Sequence, residues 1–178
     1  MKPYRLKFAG IGSFPGDVDI NFNDLNQMGL YLIVGRTGAG KTTILDAMTF
    51  ALYGKVAAGR EEAIVSAHPS HKPPMIEFEF GHDDRSYVVH REPAPQGSTA
   101  KPARQWMSER DSAGVEINRF SGAREVNEKV KSVVGLSAEE FMQVILLPQG
   151  KFQQFLLAGG QEKQRMLQTI FGTWAYRR

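Results

Sequence analysis

The most informative stretch of this sequence is Gly35-Arg36-Thr37-Gly38-Ala39-Gly40-Lys41-Thr42. It matches the pattern G-x-x-x-x-G-K-[ST] of the phosphate-binding loop, or P-loop. The apolar run Leu30-Tyr31-Leu32-Ile33-Val34 before it is typical of a strand buried on both faces. After it, apolar residues recur at helical spacing until Gly54, which is a typical C-terminal stop. A strand, a phosphate loop and a helix in this order predict an α/β fold that binds a nucleotide.

The residue types in this loop each suit one part of a nucleotide. Glycines let backbone N–H groups approach a phosphate chain without a Cβ in the way. The following helix places its positive dipole end beneath the same phosphates. Lys41 would supply a positive charge to the β- and γ-phosphates, and the Thr42 hydroxyl would ligate Mg²⁺. The predicted nucleotide-binding residues are Gly35, Arg36, Thr37, Gly38, Ala39, Gly40, Lys41, Thr42 and Thr43.

Composition limits the protein class only broadly. A chain of 178 residues with 42% hydrophobic content is long enough for one compact domain with a core. No apolar run is long enough to cross a membrane as a helix, and no signal peptide is expected at the N-terminus. The absence of cysteine excludes disulfides and thiolate metal sites and fits a reducing cytoplasm. The net charge of +3 permits binding to a polyanion without arguing strongly for it.

Hydrophobic periodicity predicts the remaining elements. Alternating residues indicate paired strands, and helical spacing indicates two short helices. Residues 55–74 are predicted to be irregular, so His68 and His71 are expected to be loop histidines rather than metal ligands. The predicted elements are strands 2–9 and 17–22 with a turn near Pro15-Gly16, a hairpin of 75–80 with 86–90, a strand pair of 105–110 with 115–118, helices 123–134 and 137–143, and a buried strand 144–147.

The segment Val144-Ile145-Leu146-Leu147-Pro148-Gln149-Gly150-Lys151-Phe152 resembles the Q-loop of SMC-like ATPases, especially the SbcC family of DNA double-strand-break repair proteins. Ser13-Phe14, Ile20-Asn21-Phe22 and Ile170-Phe171-Gly172-Thr173 follow the family order as well. The resemblance implies a P-loop NTPase fold, namely lobe I of an ABC/SMC-type ATPase head with an inserted antiparallel β-subdomain. It divides one domain, residues 1–178, into strands, P-loop and helix (1–54), insertion (55–143), Q-loop and helices (144–172) and the start of a coiled coil (173–178).

The resemblance also implies catalytic residues and cofactors. Lys41 and Gln149 would serve ATP hydrolysis, and Gln149 would contact Mg²⁺ and the attacking water while sensing the γ-phosphate. A neutral amide can ligate a hard cation and hydrogen-bond a water. ATP and Mg²⁺ are therefore the expected cofactors, with Thr42 and Gln149 as metal ligands. Lys7 and Arg36 are possible nucleotide neighbours, whereas Gly12 stands where the family often has Arg or Asn.

Several parts of such a head are missing from this sequence. We find no signature motif, no Walker B aspartate with a catalytic glutamate and no switch histidine; Phe120-Ser121-Gly122-Ala123-Arg124 precedes the Q-loop and is expected to be a turn at a helix N-cap. The resemblance implies that the C-terminal half of the same head carries them, so this chain alone should bind ATP but hardly hydrolyse it.

The partners implied by the resemblance are that C-terminal half, a second head in a homodimer, an SbcD-type nuclease subunit and double-stranded DNA, with no membrane. Together they would process DNA double-strand ends and hairpins in a cytoplasmic, nucleoid-associated complex. Basic residues of the insertion are candidates for a DNA-facing surface on family grounds, although scattered solvated charges are the simpler interpretation. They are Lys101, Arg104, Arg110, Arg119, Arg124, Lys129 and Lys131.

Three other classes compete with this interpretation. The ATPase of an ABC transporter would need a shorter gap between Lys41 and Gln149 and a signature motif directly afterwards. A stand-alone P-loop kinase or GTPase would need its own catalytic acid and base-recognition motif, and none is convincing here. Another SMC-like ATPase of the RecF or RecN type would share the P-loop and the fold, and it stays open as an alternative.

Overall fold

Within the residues that the structure describes, six antiparallel strands form one sheet in the order β2-β1-β3-β4-β5-β6. The computed structural model describes residues 1–26, 29, 32–56, 64–93, 104–144 and 159. Two compact units divide the chain, Met1–Gly135 and Leu136–Arg178. The elements of the first unit are β1 (Lys2–Ile11), β2 (Phe14–Asn21), α1 (Asn23–Asn26), α2 (Lys41–Tyr53), β3 (Met75–His82), β4 (Arg85–Arg91), β5 (Gln105–Arg110), β6 (Glu116–Ser121) and α3 (Ala123–Val134); α4 (Ala138–Val144) belongs to the second.

The two faces of the sheet differ in polarity because side chains alternate along each strand. On the core face, Leu6 pairs with Phe78 and Phe78 pairs with Val89, and none of the three is exposed to solvent. Helices α2 and α3 both pack against this face. On the other face, here called the open face, Lys7 pairs with Glu77. The charged open face agrees with the alternation predicted from the sequence.

Helix α2 confirms the prediction of a helix after the phosphate loop. It begins at Lys41 and ends at Tyr53, followed by Gly54 with a φ of 66°. The Gly54 N–H donates to the Phe50 carbonyl at 2.7 Å and closes the last turn. Ala47, Ala51 and Leu52 are fully buried. The small side chains on this side of the helix allow close packing on the sheet.

Both hairpins and helix α3 also occur where the sequence predicts them. β3 joins β4 through Asp83-Asp84, and Asp83 has a positive φ of 52°. β5 covers the predicted strand 105–110, and α3 covers the predicted helix 123–134. Gly122 is the N-cap of α3 as expected, but Phe120 and Ser121 belong to β6 rather than to a turn. The helix turns Val126 and Val130 toward the core, where both are fully buried.

Two predictions near the N-terminus are wrong. Residues 32–34 are not a buried strand: they lack regular structure, and Leu32 and Val34 are 85% and 81% exposed. A continuous apolar run becomes a buried strand only where neighbouring strands flank it, and the described sheet pairs no strand with 32–34. The turn between β1 and β2 lies at Gly12-Ser13 rather than at Pro15-Gly16, because Gly12 supplies the positive φ of 50°.

The predicted strand 144–147 is wrong at its first residue, because Val144 ends helix α4. Hydrogen bonds to Ser137 form the first turn of this helix. The Phe141 N–H donates to the Ser137 carbonyl at 2.9 Å, and the Glu140 N–H donates to the Ser137 hydroxyl at 3.2 Å. The Q-loop segment, the following helices and the coiled-coil start all lie outside the described residues. Within the described part of the chain, no helix has the length and apolar character needed to cross a membrane.

Candidate functional site

The phosphate loop runs from Gly35 to Gly40 and is exposed up to Ala39. Gly38 and Gly40 have φ angles of 82° and 85°, a region that residues with a Cβ rarely adopt. The Ala39 N–H donates to the Arg36 carbonyl at 3.1 Å and tightens the loop. The backbone therefore follows a path that requires glycine at both of these positions.

Lys41 folds back over this loop. Its Nζ donates to the Gly35 carbonyl at 2.7 Å and to the Arg36 carbonyl at 2.9 Å. These two bonds hold the ammonium group at the mouth of the loop, beside the first turn of α2. An ammonium group has three donors, so one N–H is left to point at a ligand while both carbonyls keep their bonds.

The N-terminus of α2 is open to an anion. Among the described residues, no side chain caps the helix at Gly40, and its first turn contains no acidic residue. Helix N–H groups without intrahelical acceptors, together with the helix dipole, favour negative charge at this end. Thr42 is exposed there, so its hydroxyl is available to a metal ion. The loop, Lys41 and Thr42 thus bring backbone N–H groups, an ammonium group and a hydroxyl to one end of α2.

The turn between β1 and β2 packs against the phosphate loop, and the sequence analysis missed this contact. The Phe14 ring lies against Gly40 so closely that a Cβ on Gly40 would be 2.4 Å from Phe14 Cε2. Phe14 is itself held by Phe8, with ring centroids 5.4 Å apart in an edge-to-face arrangement. Ser13 Oγ donates to the Gly38 carbonyl at 3.4 Å. The only signal in the sequence is that Ser13-Phe14 belongs to the family pattern.

Other candidate residues are not brought to the loop. Lys7 lies on the open face, where its Nζ is 3.6 Å from Glu77 Oε1; its place as a possible nucleotide neighbour stays a prediction. Gln149 lies outside the described residues. Among those described, no cluster of three His, Asp or Glu side chains is placed to hold a metal ion, and His68 and His71 lie in an irregular segment as expected. Arg36 is part of the exposed loop and keeps its predicted position.

Most of the basic residues of the insertion that the structure describes lie close to a carboxylate. Arg110 and Arg119 belong to strands β5 and β6, and Arg124 and Lys129 belong to helix α3. Each lies within 4.0 Å of a carboxylate, and the respective partners are Glu79, Glu116, Glu128 and Glu109. Lys101 lies outside the described residues. Arg104 and Lys131 are exposed, and four of the six described candidates lie beside a carboxylate.

Glu109 on β5 is the centre of a buried charge cluster that sequence reasoning did not find. Its side chain is 1% exposed and accepts hydrogen bonds from Arg85, from Asn118 at 3.0 Å and from Tyr87 at 3.3 Å. Lys129 Nζ lies 3.0 Å from Glu109 Oε2. Burial opposes ionisation of Glu109, but the bonds from Arg85, Lys129 and Asn118 outweigh it and lower its pKa to about 2. Glu109 is therefore an anion at neutral pH, and its contact with Lys129 ties α3 to the sheet.

His90 on the open face lies between two carboxylates. Its Nε2 is 3.4 Å from Glu92, and its Nδ1 is 3.8 Å from Glu77, which is too far for a hydrogen bond. The ring stacks on Trp106 with centroids 5.2 Å apart. Glu77 and then Glu92 raise the pKa of His90 in spite of its burial. This arrangement favours the protonated ring.

The sequence matches known proteins along nearly its whole length. A model of the AAA domain family matches residues 5–173. The chain is 36% identical over 178 residues to the SbcC component of the SbcCD nuclease from Clostridium acetobutylicum. The aligned region covers 99% of this chain and 15% of that protein. The chain is 34% identical over 181 residues to the SbcC component of the same nuclease from Staphylococcus saprophyticus, which is 97% of this chain and 18% of that protein. The chain thus spans less than a fifth of the length of these relatives.

The fold also matches a solved structure. That chain is described under the heading "Structural biochemistry of ATP-driven dimerization and DNA stimulated activation of SMC ATPases", with a TM-score of 0.51 and 19% identity. The match covers 96% of this chain and 99% of that one. It confirms the expected α/β fold with an antiparallel sheet. Because the family model covers almost every residue, this chain belongs to the AAA domain family.

Proposed function

We propose that this chain is the ATP-binding N-terminal lobe of an SbcC-like ATPase subunit. The observation that carries the proposal is the phosphate loop at the uncapped end of α2, with Lys41 held across its mouth by the Gly35 and Arg36 carbonyls. A helix N-terminus with this donor set binds phosphate. The similarity to two SbcC proteins supports the choice of an SMC-like class.

In this proposal the residues of the loop share the work of binding ATP. The N–H groups of Gly38, Ala39, Gly40, Lys41, Thr42 and Thr43 contact the phosphates, together with Gly35, Arg36 and Thr37 at the start of the loop. Lys41 neutralises charge on the β- and γ-phosphates, and Thr42 ligates Mg²⁺. Gln149 completes the metal site and orients the attacking water. Bound Mg²⁺ would supply the remaining positive charge for phosphoryl transfer.

Hydrolysis would need a second polypeptide segment. Leu32, Ile33 and Val34 are 85%, 39% and 81% exposed directly before the loop, and an exposed apolar stretch of this kind favours a protein partner. We assign that partner as the C-terminal half of the same head, which would add the signature motif, the Walker B aspartate and the catalytic glutamate. A second head would close over the bound ATP and convert binding energy into motion.

The complete ATPase would act in DNA repair. With an SbcD-type nuclease partner it would process double-strand ends and hairpins of double-stranded DNA, in the cytoplasm and associated with the nucleoid. The names of the similar proteins and the heading of the solved structure support these partners. A coiled coil would begin at residues 173–178, after the Q-loop and its helices.

A titration tests the proposal. The chain is titrated with a fluorescent ATP analogue in the presence and absence of Mg²⁺, together with Lys41→Ala and the matched control Lys131→Ala. Lys131 is exposed on α3, away from the loop. We expect saturable, Mg²⁺-dependent binding that is lost in Lys41→Ala and kept in Lys131→Ala. Equal binding by both lysine variants would mean that the phosphate loop is not the nucleotide site.

A further inference from the structure

Arg91 is a buried cation at the far end of the helix that begins at the phosphate loop. It lies on β4, is 1% exposed, and faces the core side of the sheet. Its Nε donates to the Ala51 carbonyl at 2.6 Å, and its Nη2 donates to the Leu52 carbonyl at 2.9 Å. Both carbonyls belong to the last turn of α2, where helix carbonyls lack intrahelical donors.

The same guanidinium group joins α2 to two other elements. Its Nη1 donates to Gln105 Oε1 on β5 at 2.5 Å, and its Nη2 donates to Asn127 Oδ1 on α3 at 2.6 Å. These four hydrogen bonds use the fixed geometry of guanidinium, which a lysine cannot reproduce. The Arg91 side chain thus joins the C-terminal end of α2 to strand β5 and to helix α3.

The charge of Arg91 also suits its place at α2. The negative end of the helix dipole lies at the C-terminus, where a cation is stabilising. Helix α2, described over its whole length, has no basic residue in its own last turn, so this cation comes from β4. A Cβ on Gly54, the residue that caps α2, would lie 3.2 Å from Arg91 Nη1. The helix end is therefore shaped around the guanidinium group.

Contacts that hold the C-terminal end of α2 also restrain the position of its N-terminal end, because the two ends belong to one continuous helix. The 13 residues of α2 form a rod of about 20 Å at 1.5 Å per residue. Lys41 and the N–H groups proposed to bind phosphate are at its first turn, and Arg91 is at its last. Sites that bind charged groups depend on donors held in place before the ligand arrives.

We propose that Arg91 is a positioning residue for the phosphate site, which it serves by anchoring the C-terminal end of α2 to β5 and α3. The inference rests on the proposed nucleotide binding at the loop. The two ends of α2 should then affect each other. Bound nucleotide should slow hydrogen exchange in the last turn of α2, and loss of the Arg91 hydrogen bonds should weaken nucleotide affinity.

The test compares the full chain with Arg91→Met, Arg91→Lys and Phe80→Leu, at a temperature where all are folded. Phe80 is buried on the core face of β3 and pairs with Tyr87 on β4, several residues from Arg91. Its variant should therefore lower stability without disturbing the contacts of Arg91 with α2. The probe is a fluorescent ATP analogue with Mg²⁺. We expect Arg91→Met to weaken binding about tenfold, a coupling of ordinary size, Arg91→Lys to weaken it less, and Phe80→Leu to leave it within about twofold.

Hydrogen exchange supplies a measurement that lost stability would not mimic. Saturating nucleotide should slow exchange of the amides at residues 51–54 in the wild type, and this slowing should disappear in Arg91→Met. If Arg91→Met fails to fold, Asn127→Ala tests the inference instead. It removes only one hydrogen-bond acceptor of Arg91, so it should weaken nucleotide binding to a smaller degree. Wild-type affinity in the folded Arg91 or Asn127 variants would overturn the inference alone. Absence of binding by the wild type would overturn the proposed function as well.

Discussion

Substituting Gly40 tests whether the β1–β2 turn holds the phosphate loop in place. An alanine there would keep a φ of 85° and would place its Cβ 2.4 Å from Phe14 Cε2. Gly38 is a control in the same loop, because its φ is 82° but a Cβ there would meet no atom within 4 Å. The two alanine variants therefore share the backbone strain and differ in the clash with the ring.

The magnitude follows from these two terms. A left-handed residue with a Cβ costs roughly 1–2 kcal/mol, and the stiffer unfolded chain offsets about 0.4–1 kcal/mol of this. Gly38→Ala should therefore lower the free energy of unfolding by about 1 kcal/mol. Overpacking against a fixed ring adds roughly 1–3 kcal/mol, so Gly40→Ala should lower it by about 2–4 kcal/mol.

Urea unfolding of both variants, alone and combined with Phe14→Ala, measures the difference. Without the ring, Gly40→Ala should cost no more than Gly38→Ala, so the effects of Gly40→Ala and Phe14→Ala should not add. Strict additivity, or equal destabilisation by the two single glycine variants, would refute the packing of Phe14 on the loop.

Two further predictions concern pH. Because the folded-state pKa of Glu109 is about 2 rather than 4.5, its ionisation stabilises the fold above about pH 4.5, and this stability is lost as pH falls toward 2. Glu109→Gln should thus lower the free energy of unfolding at pH 7 by about 2–3 kcal/mol, and by roughly half as much or less at pH 3; an equal loss at both values in urea unfolding would contradict this. The pKa of His90 is raised, so the stability it contributes is present below its ordinary pKa and is lost as pH rises through the folded-state value. The wild type should exceed His90→Gln in thermal stability more at pH 6 than at pH 9, and a constant difference in melting temperature would argue against the Glu77–His90–Glu92 arrangement.

The local elements could be predicted because their signals are local. The strand 75–80 alternates between apolar and polar residues, and the helix 123–134 has an apolar stripe at Val126 and Val130; both occur as expected. The turn at Gly35–Gly40 and the helix after it could be predicted, since its glycines and Lys41 are neighbours in the sequence. That this loop binds a nucleotide stays a prediction. Gln149 and the C-terminal segments stay predictions.

The contacts that hold the loop in place could not be predicted, because they join distant residues. Arg91 and Glu109 occupy core-facing positions in β4 and β5, yet a charged residue in an alternating strand ordinarily faces solvent. Arg91 and Glu109 find their partners on neighbouring strands and on the helices that pack on that face. The prediction for residues 32–34 was wrong in the opposite direction: apolar residues expected to be buried are exposed. An apolar run predicts burial but does not identify which strands flank it.

The most direct test of the central claim is ATP turnover by this chain with and without the separately produced C-terminal segment of its own ATPase. We expect the chain alone to bind ATP with little hydrolysis, and Mg²⁺-dependent turnover to appear on addition of that segment and to vanish in Lys41→Ala. Robust turnover by the chain alone would contradict the account, because it would require a complete catalytic site within these 178 residues.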